Sequence, residues 1–509
     1  MLACVRSYAL EGLDGYAVDV EVDVNNGLPS VETVGLASTA TKESKERVRA
    51  AIRNSGFPYP MKRITVNLAP ADTRKEGAAL DLPIAVGLLV CAEAVRGTRY
   101  KEFAMVGELA LNGEIRPVSG IMPLLISAMQ NGVKKFIVPA ANAKEAGYID
   151  GIEVYALSSL RETADFLNGE ERLPVPRTEY SAASAASRYG IDLADVKGQA
   201  AAKRAIEIAV AGGHNVLMCG APGAGKTMLA KCVPTIMPDM TFSEAVEVTK
   251  IHSVAGVLDP TVGIVCTRPF RTPHHTATVP ALVGGGSKVR PGEVSLAHNG
   301  VLFLDEMPEY SRHALETLRQ PLEDKRVTVA RAARSVEYPA NFMLVASMNP
   351  CPCGNYGSRT QPCRCSAAQI HAYTAKLSGP LLDRIDLYIE VDGVEYAELR
   401  GSGAGETSAA VKERVEKARA IQRERFEGKG FSTNSQMSAR DITRYCALDG
   451  DGERLLQKAF DKMGLTARGA TRILKVARTV ADLGGSDNIL ATHLAEAIRY
   501  RSMERNSIR

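Results

Sequence analysis

The chain has 509 residues, 45% hydrophobic and 24% charged, with no Trp and 5% aromatics. That is globular composition with aliphatic cores, and it excludes disordered, collagen-like and coiled-coil chains; the length argues for about three domains. Lys plus Arg number 62 against 58 for Asp plus Glu, a net charge of +4, too mild to indicate a nucleic-acid partner without local clustering.

The start, MLACVRSYAL followed by EGLDGYAVDVEVD, is too short in apolar run and too soon acidic for a signal peptide. No uninterrupted apolar stretch reaches about 18 residues, so no membrane span is expected. Ten cysteines in 509 residues make no disulfide framework, and four of them fall between 351 and 365. A reduced, cytoplasmic protein is expected.

Residues 1–172 alternate β-rich runs with amphipathic helices. YAVDVEVDV (16–24), ITVNLAP (64–70) and KKFIVPA (134–140) read as strands. STATKESKERVRAAIRNSG (38–56) reads as a helix, with Ser38 or Thr39 as cap and Gly56 as stop. LPVPRTEYSAASAASRYG (173–190) breaks the pattern with prolines and small residues and reads as a linker. Beyond it, VLMCG (216–220), VLFLDE (301–306) and FMLVASMN (342–349) are strand-like and separated by helical stretches, which predicts a parallel, doubly wound sheet. From about 396 onward helical periodicity takes over, as in 409–426 and 470–483.

GAPGAGKT (220–227) fits G-x-x-x-x-G-K-[ST] between an apolar strand and a helix. Gly220, Ala221, Pro222, Gly223, Ala224 and Gly225 would form a loop whose backbone N–H groups face phosphate oxygens, at a helix N-terminus that favours anions. Lys226 would reach the β- and γ-phosphates, and Thr227 would hold Mg²⁺. VLFLDE places two carboxylates at the end of a buried strand, where Asp305 would hold Mg²⁺ and Glu306 would orient or deprotonate the attacking water. ATP and Mg²⁺ are the cofactors expected.

These motifs, with ASMNP (346–350), LLDRIDL (381–387), FRTPHH, PGEVSLAHNG and NPCPCG, occur in the order seen in AAA+ ATPases. The chain resembles the magnesium-chelatase-like ComM/YifB family, relatives of the MCM helicases. The resemblance implies that Asn349 is the sensor near the γ-phosphate and that Arg384 is an arginine finger offered to a neighbouring subunit. It implies a second sensor at Arg468, with Arg472 one turn on as the fallback. Arg384 could instead pair with Asp383 or Asp386 within its own chain. A finger acting in trans implies a homo-oligomer, and the family's usual assembly is a ring of six.

RPFRTPHHTATVPALVGGGSKVRPG (268–292) and KRVTVARAAR (325–334) contain no acidic residue. In MCM-like ATPases hairpin insertions at these places line the central pore. On that resemblance Lys288, Arg290, Lys325, Arg326, Arg331 and Arg334 would meet a DNA backbone; solvated hairpins or intersubunit salt bridges are the alternatives. His274 and His275 would contact metal or phosphate, or simply cap and pack.

Cys351, Cys353, Cys363 and Cys365 lie on two C-x-C arms and could surround one structural Zn²⁺. With one intervening residue, thiolates point apart in an extended strand, so a redox-sensitive cluster and unliganded cysteines stay open. VNLAPADTRKEGAALDLPIAVGLL (66–89) with GEIRPVSGIMPLLISAMQNGVKKFIVPAAN (113–142) resembles the Lon-type proteolytic domain. Ala79 stands where that site has its serine and Leu124 where it has its lysine, so no peptidase activity is expected.

The fold expected is therefore α/β in four stretches. They are an S5/Lon-like α+β domain (1–172), a linker (173–187), a P-loop AAA+ core (188–395) with a Cys-rich insertion (351–365), and a magnesium-chelatase-type helical lid (396–509). The function expected is a ring-forming ATPase that couples hydrolysis to translocation on DNA, in helicase or branch-migration work during recombination or natural transformation. The alternative is a chelatase-like ATPase that remodels a protein partner. Basic hairpin residues without an aromatic tip favour DNA.

Overall fold

The computed structural model describes residues 1–35, 39–71, 75, 77–181, 189–259, 261–286, 289–331, 334–357, 361–393 and 405–507, and of residues 39–43, 331, 334 and 502–507 the backbone alone. The expected cap Ser38, the middle of the linker and the boundary near 396 lie outside these residues. Two compact units divide the chain: 1–181 with 242–265, and 182–241 with 266–509. Among the described residues no helix is long and apolar enough to cross a membrane.

The first unit is built on a seven-stranded mixed sheet. Its order is Ser30–Val34, Arg63–Ala69, Asp14–Asn25, Leu2–Glu11, Phe103–Met105, Lys135–Pro139, Glu153–Leu157. Strand Leu2–Glu11 pairs antiparallel with Asp14–Asn25 in a register that sets Val5 opposite Val20. Alternation does the rest: Val18, Val20, Val22 and Val24 are buried while Asp19, Glu21 and Asp23 are not. Helix Asp81–Cys91 lies against this face, and a Cβ on its Gly87 would come within 2.6 Å of Val22 Cγ2. Helix Thr39–Asn54 ends just before Gly56, whose φ of +78° suits a glycine stop.

Helix Phe242–Ala255, expected inside the ATPase core, belongs to this first unit. It buries Val248 and Ile251. Its Ser253 hydroxyl accepts from the Gly120 N–H at 2.8 Å and donates to Glu145 at 2.7 Å, just where helix Ile121–Gln130 begins.

The second unit carries a five-stranded sheet, parallel throughout, in the order Phe270–Arg271, Val301–Leu304, Met343–Met348, Val216–Cys219, Leu387–Glu390. The fully buried strands read as apolar runs, broken only by Ser347 in the last, because both faces are covered. The chain's first strand here sits between its fourth and fifth, so the strand order reverses beside it and a crevice opens at the carboxyl ends. From Ser408 on, the described elements are helices, chiefly Ser408–Arg425, Gly450–Met463, Ala467–Leu483 and Ala491–Ser507. The sheet region and these helices, expected as core and lid, form one unit because one apolar cluster runs through both. It joins Val216, Leu229 and Val233 to Val411, Val415, Ile473, Val476 and Leu494.

Candidate active site

Strand Val216–Cys219 ends beside Val391, which follows the neighbouring parallel strand Leu387–Glu390 and donates its N–H to Cys219 O at 2.8 Å. A Cβ on Gly220 would lie 2.2 Å from the Val391 carbonyl oxygen, so only glycine fits. The loop Ala221–Pro222–Gly223–Ala224 then turns through Gly225, at φ +90°, into helix Lys226–Ile236. Pro222 and Gly223 are exposed while Ala224 packs inward. Lys226 is only 9% exposed, and its Nζ donates to Gly220 O at 2.6 Å, Ala221 O at 3.0 Å and Asn349 Oδ1 at 3.1 Å. Burial lowers its pKa. The ammonium thus stands in the mouth of the loop, beside the helix N-terminus, where a phosphate would meet both.

Strand Val301–Leu304 delivers Asp305 and Glu306 to the same edge. Thr227 Oγ1 donates to Asp305 Oδ2 at 3.0 Å. The other Asp305 oxygen accepts from the Ser347 hydroxyl, which itself accepts from the Glu306 N–H at 3.1 Å. Glu306 sits at φ +50° and ψ +49° with its side chain exposed. A non-glycine residue in that region costs about 1–3 kcal/mol and persists where surroundings over-determine it. Thr227 and Asp305 could hold Mg²⁺, and Glu306 faces open space beside them.

Ser347 was not singled out in the sequence. The signal was present: Leu304 pairs with Ala346, so the next residue on each strand, Asp305 and Ser347, must meet. Asn349 follows the last residue of that strand, Met348.

Lys226, Thr227, Asp305 and Asn349 are therefore gathered into one site; Arg384 and Arg468 have no bond to that set. Arg384 pairs with neither Asp383 nor Asp386. Its guanidinium pairs with Glu323, Nε donates to Arg319 O at 3.0 Å and Nη1 to Pro380 O at 2.7 Å. It borders an open groove of about 600 Å³ with Glu316, Arg319, Gln320 and Glu323. Asp386 is taken by Arg472 and by the Asn215 N–H at 2.9 Å. Burial would raise the Asp386 pKa, but Arg472 and these hydrogen bonds hold it far below the carboxylate range. Arg472 is thus committed within the chain, whereas Arg468 is exposed one turn earlier on helix Ala467–Leu483.

Of the basic residues, Lys288 lies outside the described residues. Arg290 is exposed on a minimal hairpin, Gly284–Gly285 against Arg290–Pro291. Arg271 forms a two-pronged pair with Glu293 at 2.6 and 2.8 Å. Arg268 donates to the carbonyls of Pro238 and Asn299. A longer hairpin joins Arg326–Arg331 to Arg334–Pro339, with register partners Arg331 and Arg334 at its far end. The side chains of those two arginines lie outside the described residues. Arg326 is exposed and paired with Glu337 at 3.0 Å.

Lys325, expected as a DNA contact, lies at the base of this hairpin. It ends helix Arg319–Asp324 at φ +57°, half-buried at the hairpin base, and burial lowers its pKa to about 8 against the pull of Asp386. His274 caps its own turn, Nδ1 lying 2.8 Å from Thr276 Oγ1, and stacks on His275 with ring centroids 4.1 Å apart.

The four cysteines converge. Their sulfurs all lie within 4.8 Å of one another, with Cys351–Cys353 at 3.4 Å and Cys363 at 3.7 Å from each. The first C-x-C arm is a turn, closed by the Gly354 N–H to Cys351 O at 2.9 Å, so its thiols do not point apart as they would in an extended strand. In the first unit, Leu124 is 1% exposed inside an apolar cluster with Ile121, Leu125 and Phe136, and Ala79 packs against that same cluster.

Residues 192–399 match the family described as magnesium chelatase, subunit ChlI; residues 20–142 match the subunit ChlI of Mg-chelatase family, and 405–501 the ChlI C-terminal family. The chain is 45% identical to the competence protein ComM of Haemophilus influenzae over 99% of this chain and 98% of that one. It is 42% identical to the protein YifB of Salmonella typhimurium over the same shares, 99% and 98%. A shorter match, 27% identical over 30% of each chain, is to Lon protease 2 of Bacillus subtilis.

Proposed function

The chain belongs to the ComM/YifB family of magnesium-chelatase-like AAA+ ATPases, and from that membership we propose a ring-forming motor that couples ATP hydrolysis to movement along DNA. Forked or branched DNA, of the kind met in recombination and natural transformation, is its substrate on this reading; the name of the ComM relative ties that protein to competence.

In the hydrolytic site, Lys226 exchanges its loop carbonyls for the β- and γ-phosphates while Asn349 keeps its amide toward the γ-phosphate. Bound Mg²⁺, held through Thr227 and Asp305, would neutralise charge on the phosphates. Ser347 fixes Asp305 and the Glu306 backbone, which leaves the Glu306 carboxylate to orient water. Arg384 serves a neighbouring subunit: it sits at the rim of an open groove, and a phosphate there would compete with Glu323 for it. Arg468 is the exposed cation of the lid. A hexamer follows the family's habit. Unit one has no peptidase role, because Ala79 and Leu124 offer carbon where a serine and a lysine would be required.

The observation that carries the DNA reading is hairpin 326–339. Val327, Val329 and Tyr338 anchor it, and the Tyr338 hydroxyl donates to Val289 O at 2.6 Å, which ties the Arg290 segment alongside. Two arginines share one cross-strand position at its far end. Like charges there are unfavourable unless an anion lies between them.

The test replaces Arg331 and Arg334 by Ala. Basal ATPase should survive, while stimulation by forked, single-stranded and four-way DNA falls. The slope of log affinity against log salt should flatten by about one unit per lost phosphate contact. An intact ring with an unchanged slope would remove this hairpin from DNA binding. No stimulation of the wild type by any DNA would favour the protein-remodelling reading.

A further inference from the structure

The cysteine loop is placed unusually with respect to the catalytic residues. It begins two residues after Asn349, the residue that accepts from Lys226. In its middle, Gly354 rests on the phosphate loop: a Cβ there would come within 2.4 Å of Pro222 Cδ and 2.7 Å of Cγ. It ends at Ser366, which caps helix Ala367–Thr374 in a reciprocal pair with Gln369. Near the end of that helix Tyr373 is buried. The loop thus starts beside Asn349, and its middle touches the phosphate loop.

Nothing apolar holds this loop together. Between Pro350 and Ser366 the described residues buried from solvent are Cys351 and Gly354 alone. The sulfurs supply what the core does not. Four thiolates about 2.3 Å from one tetrahedral Zn²⁺ stand about 3.8 Å apart, and three of the pairs lie at 3.4, 3.7 and 3.7 Å. Backbone N–H groups already point at two of them, Tyr356 to Cys351 Sγ at 3.3 Å and Cys365 to Cys363 Sγ at 3.4 Å, as expected around a metal-bound thiolate. An all-sulfur tetrahedral set selects zinc over magnesium or calcium.

We propose that Cys351, Cys353, Cys363 and Cys365 bind one Zn²⁺, and that the metal-tied loop is the buttress that holds Asn349 and Pro222 in position for ATP hydrolysis. The cysteines are positioning residues: none touches nucleotide. The inference rests on the reading of Lys226 and Asn349 as the hydrolytic site, and it needs no DNA.

The experiment measures zinc per chain by elemental analysis and basal ATPase on the full-length protein. It compares wild type with Cys365→Ser, which removes a ligand, and Cys365→His, which restores one. Wild type should carry one zinc. Cys365→Ser should lose it with a tenfold or greater fall in kcat and a KM for ATP changed less than threefold, while Cys365→His keeps zinc and turnover within about threefold. A zinc-free serine variant with wild-type kcat would overturn the buttress. Wild type without zinc, or with iron alone, would overturn the metal assignment. If Cys365→Ser does not fold, a mercurial reagent titrated into wild type decides: turnover should fall in step with zinc released and return with thiol and added zinc. Loss of turnover out of step with zinc counts against the proposal. A wild type that holds zinc but never hydrolyses ATP would instead overturn the reading of the nucleotide site.

Discussion

The nucleotide site of unit two and the Ala79–Leu124 patch of unit one both lie inside the fold, and they treat charge in opposite ways. In unit two a lysine only 9% exposed finds three oxygen partners, and Asp305 finds two hydroxyls. In unit one the corresponding patch is carbon: Leu124 within a cluster of Ile121, Leu125 and Phe136. A buried polar group without partners costs stability, so a catalytic constellation persists only when each member answers another. Where no such constellation is gathered, residues are free to be ordinary core.

The comparison is broken most directly from the hydrolytic side. Glu306→Gln should lower kcat for ATP by about 100-fold or more while nucleotide affinity stays near wild type, because Lys226 and Asp305 are untouched. Steady-state turnover beside fluorescent-nucleotide binding checks this, and near-normal turnover would reassign the base. From the other side, Ala79→Ser with Leu124→Lys attempts to write a dyad back into unit one. The lysine would replace a leucine packed in an apolar cluster, so the expected outcome is about 3 kcal/mol or more of destabilisation and no peptide hydrolysis. Thermal unfolding and a fluorogenic-peptide assay read the two effects. A stable variant that cleaves peptide would show that the patch is a site after all.

The same contrast explains what the sequence disclosed. Strands 216–219, 301–304 and 343–348 were legible because buried parallel strands are predominantly apolar, Ser347 being the exception in the last. The phosphate loop was legible because its glycines and lysine answer to local backbone geometry. What escaped depends on partners far along the chain. Arg384 meets Glu323, 61 residues away, while the acids beside it in sequence are engaged elsewhere. Helix 242–255 joins unit one through contacts such as Ser253 with Glu145, 108 residues away, which no local period encodes. Strand Phe270–Arg271 is too short to leave a pattern. The cysteine arms looked unfavourable only under the assumption of an extended strand; the turn at Gly354 removes that assumption.

Ser347 sharpens the comparison at finer scale. Its hydroxyl is fully buried between Asp305 and the Glu306 N–H, so Ser347→Ala leaves both without that partner. A lost hydrogen bond to a charged group is worth about 1.5–3 kcal/mol, and a part of that felt in the transition state gives about a tenfold drop in kcat. Ser347→Thr, which keeps the hydroxyl, should recover most of it. Equal losses in both variants would mean that packing, not the hydroxyl, matters.

Among the described residues unit one buries two carboxylates, Asp81 and Glu145, and Asp81 supplies the smallest effect. Asp81, 1% exposed at the start of helix Asp81–Cys91, accepts from Arg47 at 3.0 and 3.2 Å and from the Leu109 N–H at 3.3 Å. Burial outweighs these partners and raises its pKa to about 6. In the unfolded chain an aspartate titrates near 3.9. Between about pH 4 and 6 the folded chain therefore holds a proton that the unfolded chain has released, and stability from this group falls as pH rises through that window. Asp81→Asn cannot titrate. The stability of wild type relative to Asp81→Asn, from thermal unfolding of the full chain, should thus decline from pH 4 to pH 6 and level off above it. The rival is the Arg47 ion pair. If the pair won over burial, the carboxyl would titrate below its unfolded value, and the difference would instead grow with pH up to about pH 4 and stay level above it. That pattern would show that even unit one keeps a charge at depth when a guanidinium is there to meet it.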